Sequence, residues 1–240
     1  LSAGGSGKSS MTVLAAMGGK DEARFAGLAE SWDHEVPAFN TLAVECIAAP
    51  DAALLPRVPG LADDLFQSDG TMTKQEVRAA TLAKLMPMRG ALLWDIGCGS
   101  GSVAIEWMRA ARYARAIGIE PRADRRAMAG ANALALGAPK LELVEGSVPE
   151  ALDGLTPPDA IFIGGGLSHD TFNAAWAALR PLGRLVANAV TLESEAVLMD
   201  LHARHGGDLV RLSVCRAEPV GRLTGWRPSM PVTQWSLVKR

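Results

Sequence analysis

The sequence predicts an α/β domain with a mainly parallel sheet of seven strands. Two observations lead to this fold class. From residue 91 onward, apolar segments of strand length alternate with segments of helical apolar spacing. The first of these strands also runs directly into the glycine-rich stretch DIGCGSGS, and a helical pattern follows it. Such alternation typically places helices on both faces of a parallel sheet.

Residues 1–50 contain shorter pieces of the same kind. Met11–Gly19 and Phe39–Ala48 are predicted to be strands, and the apolar spacing of Asp21–Trp32 predicts a helix. Two strands and one helix cannot close a core. Because the chain also begins with Leu1, we expect this segment to be the end of a preceding, truncated domain.

A proline-rich stretch follows, so residues 51–70 are predicted to be a linker or arm. Thr71–Pro87 then has the pattern of an amphipathic helix. Thr73 is its expected N-cap, with Glu76 three residues later as in a capping box. The second predicted domain covers residues 71–240.

The alternating segments of that domain are assigned from their period and length. The predicted strands are 91–96, 115–119, 141–144, 159–163, 184–188, 209–215 and 232–238. The predicted helices are 101–111, 122–136, 149–153, 169–180 and 192–205. Only a turn-rich link separates the last two strands, so we expect them to pair antiparallel.

The composition excludes several functional classes. The chain has 240 residues, 48% hydrophobic and 21% charged, with a formal net charge of -2. This near-neutral charge argues against a nucleic-acid partner. No apolar run approaches the ~20 residues of a membrane span, and Cys46, Cys98 and Cys215 lie too far apart for a zinc site. We therefore expect a cytoplasmic protein without a metal or a membrane partner.

The glycine-rich loop after the first strand is the chief candidate site. A strand, a glycine loop and a helix together form an anion- or nucleotide-binding arrangement. The dinucleotide pattern requires a third glycine where this chain has Ser102, and the P-loop pattern requires a lysine that the loop lacks. The stretch SAGGSGKSS imitates a P-loop, but its leading glycine would fall at Ser2 and no strand precedes it.

Asp95-x-Gly97-x-Gly99-x-Gly101 resembles the first motif of the Rossmann-like class I methyltransferases, which bind S-adenosyl-L-methionine. The resemblance implies that the loop, including Cys98 and Ser100, surrounds the cofactor. Asp95, at the strand end, can bond a water or the cofactor's ammonium group. The resemblance implies that Glu120, after the second strand, accepts the ribose hydroxyls of the cofactor. The loop after the third strand supplies Ser147 and Val148, which would border the adenine.

Four segments narrow the resemblance: DGTMTKQEVRAATLAKL, LLWDIGCGSGSVAIEWMR, IFIGGG and NAVTLESE. Together they resemble the CbiT-type family, the decarboxylating C-terminal domains of precorrin methyltransferases in cobalamin biosynthesis. The resemblance implies methyl transfer to C15 of a precorrin-6 macrocycle and decarboxylation of the acetate on C12. It implies that Thr73 contacts the cofactor, that residues 1–50 end a tetrapyrrole-methylase domain of the parent chain, and that the protein is a homo-oligomer.

A substrate with several carboxylates calls for basic residues, of which we expect two or three to be involved. The candidates are Lys74, Arg78, Arg216, Arg222 and Arg227. Gly164 and Gly165 would give a flat floor free of side chains. His169 either donates to the substrate or only begins a helix, and Glu193 either lines the pocket or is a first-turn carboxylate.

Two other functions stay open at this point. A tRNA adenine-N1 methyltransferase has a similar catalytic domain, although the charge balance argues against RNA. A non-catalytic module could keep the fold and only bind the cofactor. Intact Gly97, Gly99, Gly101 and Glu120 favour a working enzyme.

Overall fold

The computed structural model describes residues 4–50, 52 and 55–240. The chain divides into two compact units, and the second begins at Pro56. Residues 56–70, predicted as part of a linker, therefore belong to the second unit. Ser2, where the P-loop-like stretch would need its first glycine, lies outside the described residues.

The first unit contains a three-stranded antiparallel sheet. Its central strand is β1 (Ser10–Ala15), with β2 (Ala23–Leu28) on one side and β3 (Asn40–Glu45) on the other. The predicted strands in Met11–Gly19 and Phe39–Ala48 are thus confirmed.

The helix predicted over Asp21–Trp32 is wrong, because this segment forms β2 and a 3-10 turn at Ala29–Ser31. Phe25 is half-buried between the exposed Arg24 and Ala26, which is the two-residue period of a strand. Pairing with β1 overrides the helical spacing of the sequence.

The second unit alternates strands and helices from β4 onward. Its strands are β4 (Leu92–Ile96), β5 (Arg115–Ile119), β6 (Glu142–Val144), β7 (Ala160–Ile163), β8 (Arg184–Ala189), β9 (Asp208–Leu212), β10 (Cys215–Val220), β11 (Leu223–Pro228) and β12 (Val232–Val238). Its helices are α1 (Gln75–Leu85), α2 (Ser102–Ala110), α3 (Ala123–Ala135), α4 (His169–Ala178) and α5 (Leu192–His205).

Seven of these strands form one sheet in the order β6-β5-β4-β7-β8-β12-β9. The strands from β6 to β8 are parallel, and β12 runs antiparallel to both β8 and β9. The predicted mainly parallel sheet with an antiparallel C-terminal strand is confirmed. The strand order reverses between β4 and β7, and ligands of open α/β sheets bind outside the strand ends at such a point.

Helices cover both faces of this sheet. Leu93 packs in one cluster with Leu82 of α1. Its neighbour Trp94 packs on the opposite face with Phe172 of α4 and Leu198 of α5. This alternation of adjacent side chains keeps β4 buried on both faces, as a central parallel strand requires.

Most predicted ends differ from the structure by only one or two residues, and three differences matter more. Helix α1 has Lys74 at its N-cap position without a side-chain cap, so Thr73 as the N-cap is wrong. The helix predicted at 149–153 is a single 3-10 turn, Glu150–Leu152. The strand predicted at 209–215 ends at Leu212, and the link after it contains the hairpin of β10 and β11, which was not predicted.

No helix in the described part of the chain combines the length and apolar character needed to cross a membrane.

Candidate active site

A cavity of about 680 Å³ lies at the carboxyl edge of the parallel strands in the second unit. It extends past the switch point between β4 and β7. We call the part around the loops after β4, β5 and β6 the glycine half; it includes Asp95–Ser100, Glu120 and 146–148. The part at the ends of β8, β9 and β12 is the apolar half, lined by Asn188, Val190, Leu212, Val214, Arg216, Ser229, Met230 and Val232.

The backbone of the loop after β4 favours glycine at three positions. Gly97, Gly99 and Gly101 all have positive φ, at 71°, 54° and 76°. A Cβ on Gly97 would lie 2.8 Å from the Cα of Gly165, in the loop after β7. The two loops therefore approach each other backbone to backbone and leave an open cradle of backbone groups.

Glu120 directly follows β5 and is only 3% exposed. Its carboxylate oxygens accept hydrogen bonds from the Gly99 N–H at 3.1 Å and the Arg122 N–H at 3.1 Å. Each oxygen keeps further lone pairs that can accept hydroxyl donors from a ligand. The second of these bonds fixes the carboxylate against the start of α3.

Asp95 is buried below the loop, with 1% of its surface exposed. One carboxylate oxygen accepts the Ala104 N–H at 3.0 Å, and the other has no partner among the described residues. Burial raises the pKa of Asp95 to about 7 against the effect of the Ala104 hydrogen bond, and the charge of Glu120 adds to the rise. A buried acceptor of this kind favours a cationic ligand group or a bound water.

Cys98 and Ser100 lie in the same loop and line the cavity. Burial raises the pKa of the Cys98 thiol well above its ordinary value, so it stays a neutral packing group. The Ser100 hydroxyl is buried and has no partner among the described residues. It is a second polar group that a ligand could satisfy.

The structure brings most predicted site residues to this cavity. Those that line it are Thr73, Lys74, Asp95, Gly97, Cys98, Gly99, Ser100, Glu120, Ser147, Val148, Gly164, Gly165 and Arg216. Gly101 lies behind them as the N-cap of α2. There an added Cβ would approach Ala129 of α3 to 3.1 Å. Glycine is therefore needed at position 101 because α3 packs closely against this point.

The prediction that Arg78 binds the substrate is wrong, because its side chain is 0% exposed and cannot meet a substrate. It donates to Glu106 at 2.6 Å and to Asp63 at 3.1 Å. It also donates to the carbonyls of Thr73 and Leu61. Its positive charge therefore ties the segment before α1 to α2.

Four other candidates lie outside the cavity lining. Arg222 is exposed in the turn between β10 and β11, and Arg227 pairs with Glu218 at 3.0 Å on that hairpin. His169 begins α4 and lies 2.6 Å from Asp200. Glu193 is an exposed first-turn residue of α5. These positions do not support a substrate or catalytic role.

Two features of the cavity were missed from the sequence. Asn188, at the end of β8, lines the apolar half. Arg125 of α3 donates to Asp69 at 2.7 Å, which joins α3 to the segment before α1 at the cavity edge. Asn188 stands inside the quoted NAVTLESE segment, so a polar residue at a strand's carboxyl end was the available signal.

The geometry fits binding and positioning better than acid–base catalysis. In the described residues no group of three or more His, Cys, Asp or Glu is placed to hold a metal ion. The glycine half offers backbone groups and two buried carboxylates. The apolar half offers a surface for a large ligand with Arg216 as its cation, and Lys74 also lines the cavity.

The sequence of the chain is similar to those of known proteins. The sequence model of a family described as precorrin methyltransferase domain matches residues 64–239. A precorrin-6Y C(5,15)-methyltransferase (decarboxylating) from Sinorhizobium sp is 52% identical over 248 residues and covers 100% of this chain. The chain spans only 58% of that relative's length.

A shorter relative and a solved structure agree with this. A probable cobalt-precorrin-6B C(15)-methyltransferase (decarboxylating) from Pyrobaculum calidifontis is 34% identical, over 72% of this chain and 93% of its own length. The crystal structure of the C-terminal domain of precorrin-6Y C5,15-methyltransferase from Rhodobacter capsulatus has a TM-score of 0.73 and 50% identity. It covers 77% of this chain and 100% of that domain.

Proposed function

The chain belongs to the family of precorrin methyltransferase domains, and from this premise we propose its reaction. The protein binds S-adenosyl-L-methionine and transfers a methyl group to C15 of a precorrin-6 macrocycle. It also removes carbon dioxide from the acetate side chain on C12. The observation that carries the proposal is that one cavity joins a glycine cradle with buried carboxylates to an apolar surface.

The residues of the glycine half fit the cofactor. The unpartnered Asp95 oxygen suits its ammonium group, and Glu120 has lone pairs for the ribose hydroxyls. Gly97–Gly101 would hold the methionine part by backbone contacts, while Ser147 and Val148 would border the adenine. Thr73 also lines the cavity and would contact the cofactor from the segment before α1.

When bound, S-adenosyl-L-methionine supplies an electrophilic methyl group with its own leaving group. The protein's task is then to hold the accepting carbon in line and to exclude water. Gly164 and Gly165 form a floor without side chains between the two halves of the cavity. The described residues that line the cavity include no histidine, which suits a substrate carbon that is already electron-rich.

Lys74 and Arg216 are the two predicted substrate-binding cations that line the cavity. Arg216 is 43% exposed and donates to Glu76 at 2.7 Å. It keeps other N–H donors for a carboxylate of the macrocycle. Both residues lie where a substrate can exchange water for an ion pair, so they serve to orient the ring.

The test is mass spectrometry of a precorrin-6 intermediate incubated with this chain and S-adenosyl-L-methionine. Gain of one methyl group with loss of carbon dioxide supports both steps in this chain. Gain of a methyl group alone places the decarboxylation elsewhere. If S-adenosylhomocysteine binds but the precorrin is unchanged, the substrate assignment is wrong and a tRNA adenine becomes the substrate to test.

We also propose that the three-stranded unit ends a tetrapyrrole-methylase domain of the parent chain. The proposal is supported by the exposed apolar residues of this unit, including Phe39, Leu42 and Ile47, which the rest of such a domain would cover. A homo-oligomer and a cytoplasmic location remain predictions. Sedimentation of the purified chain tests the first of these.

A further inference from the structure

The apolar half of the cavity contains one polar group that is held rigidly. Asn188 is half-buried, and Val190, Leu212, Val214 and Val232 line the same half. The other polar residues there are exposed; Arg216 lies in β10 and Ser229 follows β11. Arg216 also lies near two carboxylates, Glu76 at 2.7 Å and Asp63 at 3.5 Å.

A hydrogen-bond network fixes the orientation of the Asn188 amide. The Thr81 hydroxyl donates its hydrogen to the Val77 carbonyl at 2.8 Å. It must therefore act as acceptor for the Asn188 Nδ2, at 3.1 Å, and the Gln234 Nε2, at 3.0 Å. Gln234 Nε2 uses its second hydrogen on Asn188 Oδ1 at 3.0 Å.

This network leaves Asn188 with unused capacity. Thr81 has one hydrogen and two lone pairs, and all three are occupied by the bonds above. Gln234 is 1% exposed, so its amide cannot turn away to water. Asn188 keeps one N–H donor and one lone pair that no described residue takes, at a position that lines the cavity.

From this arrangement we propose that Asn188 holds the carboxylate that the enzyme removes. The inference rests on the proposed function and extends it. The departing acetate carboxylate receives the free Asn188 N–H inside the apolar half. The retained carboxylates meet Lys74 and Arg216.

The chemistry explains why a neutral donor suits this carboxylate. In decarboxylation the bond between the carboxylate carbon and the methylene carbon breaks, and carbon dioxide leaves. The electron pair enters the conjugated macrocycle, with a protonated ring nitrogen as the sink. A proton from water then adds to the methylene carbon and gives a methyl group.

The negative charge thus leaves the carboxylate in the transition state. A lysine or arginine paired with it would stabilise the ground state more than the transition state and would slow the reaction. One amide N–H orients the group with much less ground-state stabilisation.

The experiment separates the two chemical steps in Asn188→Asp and Asn188→Leu. Both variants are first checked for S-adenosylhomocysteine affinity by calorimetry, which reports a folded glycine half. Asn173→Ala, an exposed residue of α4, is the matched control. Products of a precorrin-6 intermediate are then resolved by mass into methylated acid and methylated, decarboxylated compound.

We expect cofactor affinity within about twofold of the wild type and retained methyl transfer. We expect the ratio of decarboxylated to acid product to fall at least about tenfold in both variants. An unchanged ratio would overturn the assignment of Asn188, whether or not total turnover falls. If the wild-type chain itself releases no carbon dioxide, it is the proposed function that fails.

Discussion

Replacing Arg78 with methionine tests whether a buried ion pair holds the wall of the cavity. Methionine has a similar length but lacks the charge. The change leaves Glu106, itself only 2% exposed, without its cation. Removing one partner of a buried ion pair typically costs about 3–5 kcal/mol.

The structure favours the lower end of this range. Glu106 also accepts the N–H groups of Gly60 at 2.6 Å and Leu61 at 3.0 Å, so its charge stays partly satisfied. We therefore expect a loss of about 3 kcal/mol, which lowers the Tm by roughly 6–12 °C in a unit of this size. Residues 70–74, which line the cavity, follow the segment that Arg78 anchors. Affinity for S-adenosylhomocysteine should fall as well.

Thermal and urea unfolding measure the stability, and calorimetry measures the binding. Arg222→Met is the matched control, because Arg222 is exposed in a turn and should change stability by less than about 0.5 kcal/mol. Adding Glu106→Gln to Arg78→Met removes the unpaired charge and should restore part of the loss. A Tm within 2 °C, roughly under 1 kcal/mol, of the wild type for Arg78→Met would refute the reasoning.

Three further predictions concern the glycine half. Gly97→Ala should cost about 2–4 kcal/mol by unfolding, since its Cβ meets Gly165 at 2.8 Å. The control is Gly154→Ala, because Gly154 has a similar φ and an added Cβ there would have no atom within 4 Å. This variant should lose only the stability that backbone strain costs. An equal loss of stability in the two variants would contradict the close approach of Gly97 and Gly165. Glu120→Ala should weaken S-adenosylhomocysteine binding about 10–100-fold by calorimetry, and unchanged affinity would remove Glu120 from the site. Because the pKa of Asp95 is raised from 3.8 to about 7, its contribution to stability is present below pH 3.8 and is lost as the pH rises through 7. Affinity for the ammonium-bearing ligand should rise over the same interval up to about pH 8, and an equally steep rise in Asp95→Asn would exclude this carboxyl as the cause.

The sequence predicted the sheet because its signals are local. The strand at residues 232–238 and the helix at 192–205 were placed to the residue. The glycine spacing and Glu120 located the glycine half, and the resemblance to precorrin methyltransferases agrees with the family match. In the first unit the local signal gave the wrong element, because the segment with helical spacing pairs with β1 and forms the strand β2.

From the sequence alone, the alternation of strands and helices determined the fold class, and four short segments indicated the family. The glycine loop and Glu120 indicated the glycine half. Each of these signals is read from short contiguous segments of the chain. Only the tertiary structure decided which basic residues reach the cavity. The sequence does not distinguish Arg78 from Arg216. In the structure Arg78 is buried and paired with Glu106, whereas Arg216 lines the cavity. Likewise, Asn188 is fixed by Thr81 and Gln234, which are remote in the chain and meet only when α1, β8 and β12 pack together.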